Sequence, residues 1–216
     1  MENNDEHNIN HEYVTRYIRR TLKKNEGLLG EIEKFALAND VPIAQPETMR
    51  FIEVLLKSTN AKKVLEIGAA IGYSAIAMAG CGAVVTTIER DERMLINLKP
   101  NIEKAGFCDR ITVHEGDALE ILPTLSGEFD FIFVDAAKGQ YSEFLPHCMR
   151  MLKKGGVLFS DNVLYKGMVA TDELAIRRKI TIIRRLRKYL DEICSMNDLD
   201  TALIPIGDGA AVSYKK

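Results

Sequence analysis

The sequence contains no tryptophan, and only four cysteines and four histidines among its 216 residues. Cys81, Cys108, Cys148 and Cys194 are far apart and form no C-x-x-C pair. Neither a zinc site nor a disulfide framework is therefore indicated, and reduced, mostly buried thiols are expected. No apolar run approaches the ~20 residues that a membrane-spanning helix needs. The opening MENNDEHNINHEY is polar and acidic, unlike the basic and then apolar start of an export signal. A cytoplasmic protein without membrane association is the expectation.

What is present is enough hydrophobic side chain, 46% of residues, to bury one core. A single domain over 1–216 follows, with 1–57 as an N-terminal helical extension. The net charge of -2 hides a strong segregation. Residues 13–24 carry Arg16, Arg19, Arg20, Lys23 and Lys24 without an acid, and 174–190 carry Arg177, Arg178, Lys179, Arg184, Arg185, Arg187 and Lys188, also without one. These two segments hold twelve of the 29 lysines and arginines, so the remaining chain is acidic, and a polyanionic partner is suggested.

From Lys62 onward, short β-branched runs alternate with helical patterns: KKVLEIG, AVVTTIE, RITVHEG, FDFIFVD and GGVLFSD, separated by helices near 73–80, 91–105, 117–122 and 139–152. This is the pattern of an α/β fold with a mostly parallel sheet and helices on both faces. A long amphipathic helix follows, with Ile176, Ile180, Ile183, Leu186, Leu190 and Ile193 at helical spacing. Strands near 200–206 and 210–215, joined by Gly207-Asp208-Gly209, predict an antiparallel hairpin at the sheet edge and bring the strands to seven. Residues 10–57 read as helices broken at Val41-Pro42 and Gln45-Pro46.

In such folds ligands sit at the carboxyl ends of the strands, and that is where the polar residues fall. Val64 to Ser74 places an acid, Glu66, inside an apolar strand and then a turn with Gly68 and Gly72, where backbone can approach a ligand closely. Glu89 ends the second strand, 21 residues after Gly68, where a carboxylate can accept from both hydroxyls of a ribose. Gly116-Asp117-Ala118 ends the third and can border an adenine. One such acid is more often a helix cap; three in this order favour a nucleoside. The fourth and fifth strands end in Asp135 and in Asp161-Asn162. Two carboxylates and a carboxamide are hard oxygen donors suited to Mg2+, and zinc is disfavoured for want of nearby His or Cys.

The run LEIGAAIGYSA, then IER, EGDA, VDAAKGQY, SDNVLYKG and PIGDG, resembles the cation-dependent O-methyltransferases typified by catechol O-methyltransferase and its bacterial and plant relatives, over roughly residues 40–216. The resemblance implies a Rossmann-like S-adenosylmethionine (SAM) methyltransferase fold and a SAM cofactor contacted by Glu66, Gly68, Tyr73, Ser74, Glu89, Asp117, Ala118 and Asp135. It implies a cation, Mg2+ or Mn2+, held by Asp135, Asp161 and Asn162, and Asp135 and Lys138 as catalytic residues, with Lys138 the general base. It also implies a homodimer packed through the N-terminal helices. The chain departs from the animal catechol enzymes in having Ala136, Ala137 and no tryptophan, a poor grip for a small planar substrate.

A cation that chelates the acceptor needs two adjacent oxygens, which a catechol offers and 5-hydroxyuridine also offers. The basic segments favour the second. The pattern resembles the bacterial tRNA 5-hydroxyuridine methyltransferases, which form 5-methoxyuridine at the wobble position, and Arg16, Arg19, Arg20, Lys23, Lys24, Arg177, Arg178, Arg184 and Arg185 are the candidate tRNA contacts. Basic helix faces are also commonly just solvated. A small catechol-like metabolite is the alternative acceptor. A non-catalytic RNA-binding module is opposed by the intact Asp135, Lys138, Asp161 and Asn162.

Overall fold

In the computed structural model, which describes residues 9–216, the apolar runs become the strands of one sheet. Residues 1–8, on which the reading of a non-exported start partly rests, lie outside the described residues. The strands are β1 (Lys63–Ile67), β2 (Val84–Glu89), β3 (Ile111–Glu115), β4 (Phe129–Val134), β5 (Leu152–Ser160), β6 (Leu199–Ile204) and β7 (Ala210–Lys215). Their order is β3-β2-β1-β4-β5-β7-β6, and only β7 runs against the others. This is the expected Rossmann-like sheet of seven strands, mostly parallel, with an antiparallel pair at one edge. Winding reverses between β1 and β4, and a crevice opens there at the carboxyl ends.

Both faces of the central strands are covered, which is why they read as continuous apolar runs rather than as alternation. On one face Val64, Val85, Phe131, Phe133 and Phe159 pack against α3 (Pro46–Ser58), α4 (Tyr73–Gly80) and α5 (Glu92–Lys104) through Met49, Ile52, Ile76, Met78 and Leu98. On the other, Leu65, Ile67, Ile132, Val134 and Leu158 meet α6 (Ala118–Ile121), α7 (Tyr141–Met151) and α8 (Ile180–Ser195) through Ala118, Phe144, Cys148, Leu186 and Ile193. Two further helices, α1 (Glu12–Thr21) and α2 (Gly27–Ala38), precede α3, which opens on Pro46, a residue whose fixed φ suits a first helical position.

Two expectations are corrected. The amphipathic helix does not include Ile176, which is extended and 40% exposed; a single 3-10 turn, Arg177–Lys179, intervenes before α8 begins at Ile180. Period alone does not distinguish a helix from an extended residue that happens to continue its spacing. The cysteines are all free, but Cys108 and Cys194 are exposed and only Cys148 is fully buried. Among the described residues, no helix is long and apolar enough to cross a membrane.

Candidate active site

The turn after β1 is shaped by two glycines. Gly68 has φ +100°, and a Cβ there would collide with the backbone carbonyl of Asp135 at the tip of β4. Its absence lets the two strand ends converge at the point where winding reverses. Gly72, at φ +89°, caps α4 in a left-handed conformation that favours glycine. Beneath this turn Glu66 is wholly buried on β1, paired in register with Thr87 of β2. The Thr87 hydroxyl donates to Glu66 Oε2 at 2.5 Å, while Oε1 has no hydrogen-bond partner. Burial pushes the Glu66 carboxyl up to about 7, and the nearby Ser74 and Thr87 hydroxyls only partly oppose it.

A cleft of about 280 Å3 opens over this turn, lined among others by Gly68, Ser74, Glu89, Asp117, Ala118 and Asp135. Glu89 Oε2 accepts from the amide of Ala70 at 2.7 Å, and Oε1 from those of Arg90 and Asp91, each at 2.8 Å. A carboxylate offers about four lone-pair sites, so the side chain expected to face a ribose also braces the turn and keeps little spare capacity. Asp117 caps α6 by accepting from Leu119 N at 2.9 Å and pairs with Arg90 at 2.8 Å; these bonds hold its carboxyl below the usual range. Tyr73 lines the cleft too, but its hydroxyl turns away and donates to Glu33 of α2 at 2.6 Å.

On the other side of the reversal, β4 and β5 are in register through Val134 and Ser160. The next residues, Asp135 and Asp161, are therefore neighbours, and Asp161 N donates to Val134 O at 3.0 Å. Asp161 is 1% exposed; its Oδ1 accepts from Asn162 N at 2.7 Å and its Oδ2 is buried without a partner. Burial, then the charge of Asp135, pushes the Asp161 carboxyl upward, and burial does the same to Asp135. Asn162 adopts φ +55°, which asparagine tolerates better than most residues. Lys138 Nζ stands 4.0 Å from Asp135 Oδ1. Two mutually repelling carboxylates, one with an orphaned oxygen, fit a hard dication bound with Asn162 as third protein donor. Among the described residues no group of three or more His, Cys, Asp or Glu is arranged to hold a metal, so a cation here would need the Asn162 carboxamide beside the two carboxylates.

The basic candidates divide. Arg19 is bound to Glu47, with Nε and Nη2 each 2.8 Å from its carboxylate, and Arg16 pairs with Glu12 at 2.5 Å. Arg20 lies over the Tyr17 ring. Arg185 donates to the carbonyl of Gly139 at 3.1 Å, next to Lys138. Lys23, Lys24, Arg177, Arg178 and Arg184 are exposed and make no ion pair among the described residues.

Two residues near the site had no role in the sequence reading. Asp208 accepts from Lys166 N, is pushed up by burial, and adds its charge to the repulsion at Asp161. Gly-Asp-Gly marks a turn, but only the insertion of β7 beside β5 brings that turn to Asp161, where Val163 N and Leu164 N bond the carbonyls of Gly209 and Asp208. Tyr141, wholly buried, places its one hydroxyl proton between the backbone carbonyls of both strand tips, 3.1 Å from Asp161 O and 3.3 Å from Val134 O. A tyrosine at a helix start carries no such signal.

A family model described as O-methyltransferase matches residues 20–216. A caffeoyl-CoA O-methyltransferase of Eucalyptus globulus is 35% identical over 176 residues, covering 74% of this chain and 69% of its own. Among solved structures, a Staphylococcus aureus protein provisionally named as a caffeoyl-CoA O-methyltransferase superposes with a TM-score of 0.85 at 32% identity, covering 94% of this chain and 98% of its own. A Bacillus cereus O-methyltransferase, solved in complex with SAH, gives a TM-score of 0.83 at 26% identity, covering 94% and 97%.

Proposed function

The chain belongs to the O-methyltransferase family, and from that premise we propose that it transfers the methyl group of SAM to 5-hydroxyuridine at the wobble position of tRNA, with the help of a divalent cation. The observation that carries the reading is the meeting of a nucleoside-sized cleft with the Asp135 and Asp161 pair at a single reversal point of the sheet. The SAH bound by the Bacillus cereus relative supports SAM as the methyl donor.

Gly68, Ser74, Glu89, Asp117 and Ala118 would hold SAM, and Asp135, Asp161 and Asn162 would hold Mg2+ or Mn2+. When bound, the first supplies an electrophilic methyl group and the second supplies Lewis acidity toward the acceptor hydroxyl. Lys138, as the neutral amine, would take the hydroxyl proton onto Nζ, which stands 4.0 Å from Asp135 Oδ1. Arg185 fixes the backbone of Gly139 and so limits where Lys138 can reach. Pro42, Ile43, Met94 and Phe144 complete the cleft with apolar surface that excludes water from the oxygen to be methylated.

The exposed cations of the α1–α2 linker and of the 177–184 stretch support the polyanionic acceptor. Ala136 and Ala137, in place of large aromatic side chains, leave room for a base that reaches in from a larger molecule. One observation favours a second reading, a small catechol-type acceptor: the relatives at 33–35% identity are named caffeoyl-CoA O-methyltransferases. A homodimer belongs to the same proposal, supported by the exposed stripe of Tyr13, Val14, Tyr17 and Ile18 on α1 and checked by sedimentation. The deciding experiment incubates the protein with labelled SAM and either tRNA lacking the modification or small catechols, with and without chelator. Label entering tRNA only when the cation is present supports the proposal; turnover on catechols alone overturns the tRNA acceptor.

A further inference from the structure

A separate cavity of about 260 Å3 lies between the end of α1, the linker to α2, α2 itself and the start of α3. Its wall is basic: Arg19, Lys23, Lys24, Lys34 and Arg50 surround it, against one acid, Glu33. Arg19 and Arg50 are fixed in place by Glu47 and Glu53, which offset part of their charge. Glu33 is committed inward, since its Oε1 accepts from both Tyr73 and Asn25. Lys23, Lys24 and Lys34 are exposed and make no ion pair among the described residues. Three unpaired ammonium groups at the rim of a cavity are a strong attraction for a compact anion.

The cavity is built rather than incidental. A Cβ on Gly30 would come within 2.6 Å of the Asn25 carbonyl, so only glycine lets the linker lie this close to α2. The Asn25 side chain is then tied by its Nδ2 to Glu33 at 2.8 Å and by its Oδ1, which accepts from Arg50, and this sets Lys23 and Lys24 at the rim.

Its position relative to the cleft gives it a meaning. Pro42, Ile43 and Ala44 line the cleft, Gln45 accepts from Arg19 at 2.5 Å, and Pro46 lines the basic cavity. Tyr73 is in the cleft wall while its hydroxyl joins Asn25 and Glu33. One short stretch of chain thus divides the two spaces.

We propose that this cavity is a phosphate site for the methyl acceptor, holding a phosphate remote from the reacting hydroxyl while the methylated ring occupies the cleft. It rests on the reading of the cleft as the methyl-transfer site and deepens it. A tRNA brings a phosphodiester on each side of the modified nucleoside, and a coenzyme A thioester brings phosphates at a distance from its acyl group; the cavity recognises what the two share.

The test compares wild type with Lys24→Glu/Lys34→Glu and Lys24→Gln/Lys34→Gln, all at exposed positions. Affinity is measured for tRNA, coenzyme A and inorganic phosphate over a range of salt, with SAH binding and melting temperature as controls of folding. The expected result is unchanged SAH affinity and a loss of about tenfold or more for the phosphate-bearing acceptor in the Glu variant, smaller in the Gln variant; for tRNA the salt slope also falls by about two. Loss confined to coenzyme A, with no methylation of tRNA by wild type, keeps the phosphate site and removes the tRNA reading. The proposal is overturned if the Glu variant binds both larger ligands as wild type does, if wild type binds neither, or if only inorganic phosphate responds, which marks an adventitious ion only.

Discussion

Tyr141 donates its phenolic proton to the backbone carbonyl of Asp161, 3.1 Å away, from inside the core. The same hydroxyl lies 3.3 Å from the carbonyl of Val134. A helix start is thereby fastened to the tips of both strands that present the acid pair.

Tyr141→Phe keeps the ring and removes the fastening. A net cost of about 1 kcal/mol in stability is expected, with weaker retention of the divalent cation. Thermal unfolding and cation titration measure the two separately, and a variant that binds the cation as tightly as wild type would show that the strand tips hold their geometry unaided.

Asp161 is a neutral-preferring carboxyl held beside a second acid. Asp161→Asn should therefore melt higher than wild type in metal-free buffer at pH 8, because an unpaired buried charge is removed. It should also lose methyl transfer by about a hundredfold or more and no longer be stabilised by Mg2+. Chelator should abolish wild-type activity. A variant that is less stable without metal, or still active, contradicts the proposed cation role.

Glu66, raised from 4.5 to about 7, binds its proton more tightly folded than unfolded. Its contribution to stability is full below about pH 4.5 and is lost as pH climbs through about 7, at up to about 1.4 kcal/mol per pH unit within that window. Metal-free wild type should lose stability between pH 5 and 8 more steeply than Glu66→Gln. Parallel melting curves would mean that Glu66 is already ionised in the fold.

Arg184 and Arg185 are adjacent but face different tasks. Arg185→Gln frees the Gly139 carbonyl and should lower kcat several-fold on any acceptor at every salt concentration. Arg184→Gln should leave kcat alone and raise KM for tRNA in a manner that fades at high salt. Identical profiles for the two would undo this division.

The parallel strands, the two glycines of the turn and the acids at strand ends were legible because each depends on local chemistry: unbroken apolar runs, a φ that glycine favours, a carboxylate beside a turn. The sequence also shows that Asp135 and Asp161 end successive strands, and register does the rest. Asp208 was not legible, since its place depends on β7 lying between β5 and β6 rather than on anything near residue 208. Nor was Arg185, indistinguishable in sequence from its solvated neighbours. Glu89 reads as a ligand-facing acid and does line the cleft, but its second task, accepting from three backbone amides, depends on the folded turn. Ile176 continued a helical spacing in an extended segment.

The position of β7 has a temporal side. It is last of the seven strands to be synthesised, yet β6 is joined to the rest of the sheet only through it. Until β7 enters, β5 presents a bare edge, and the turn carrying Asp208 cannot reach Asp161. A nascent chain that has already folded its first five strands would therefore still lack one wall of the acid cluster, and emergence of β7 is the step that makes the protein competent.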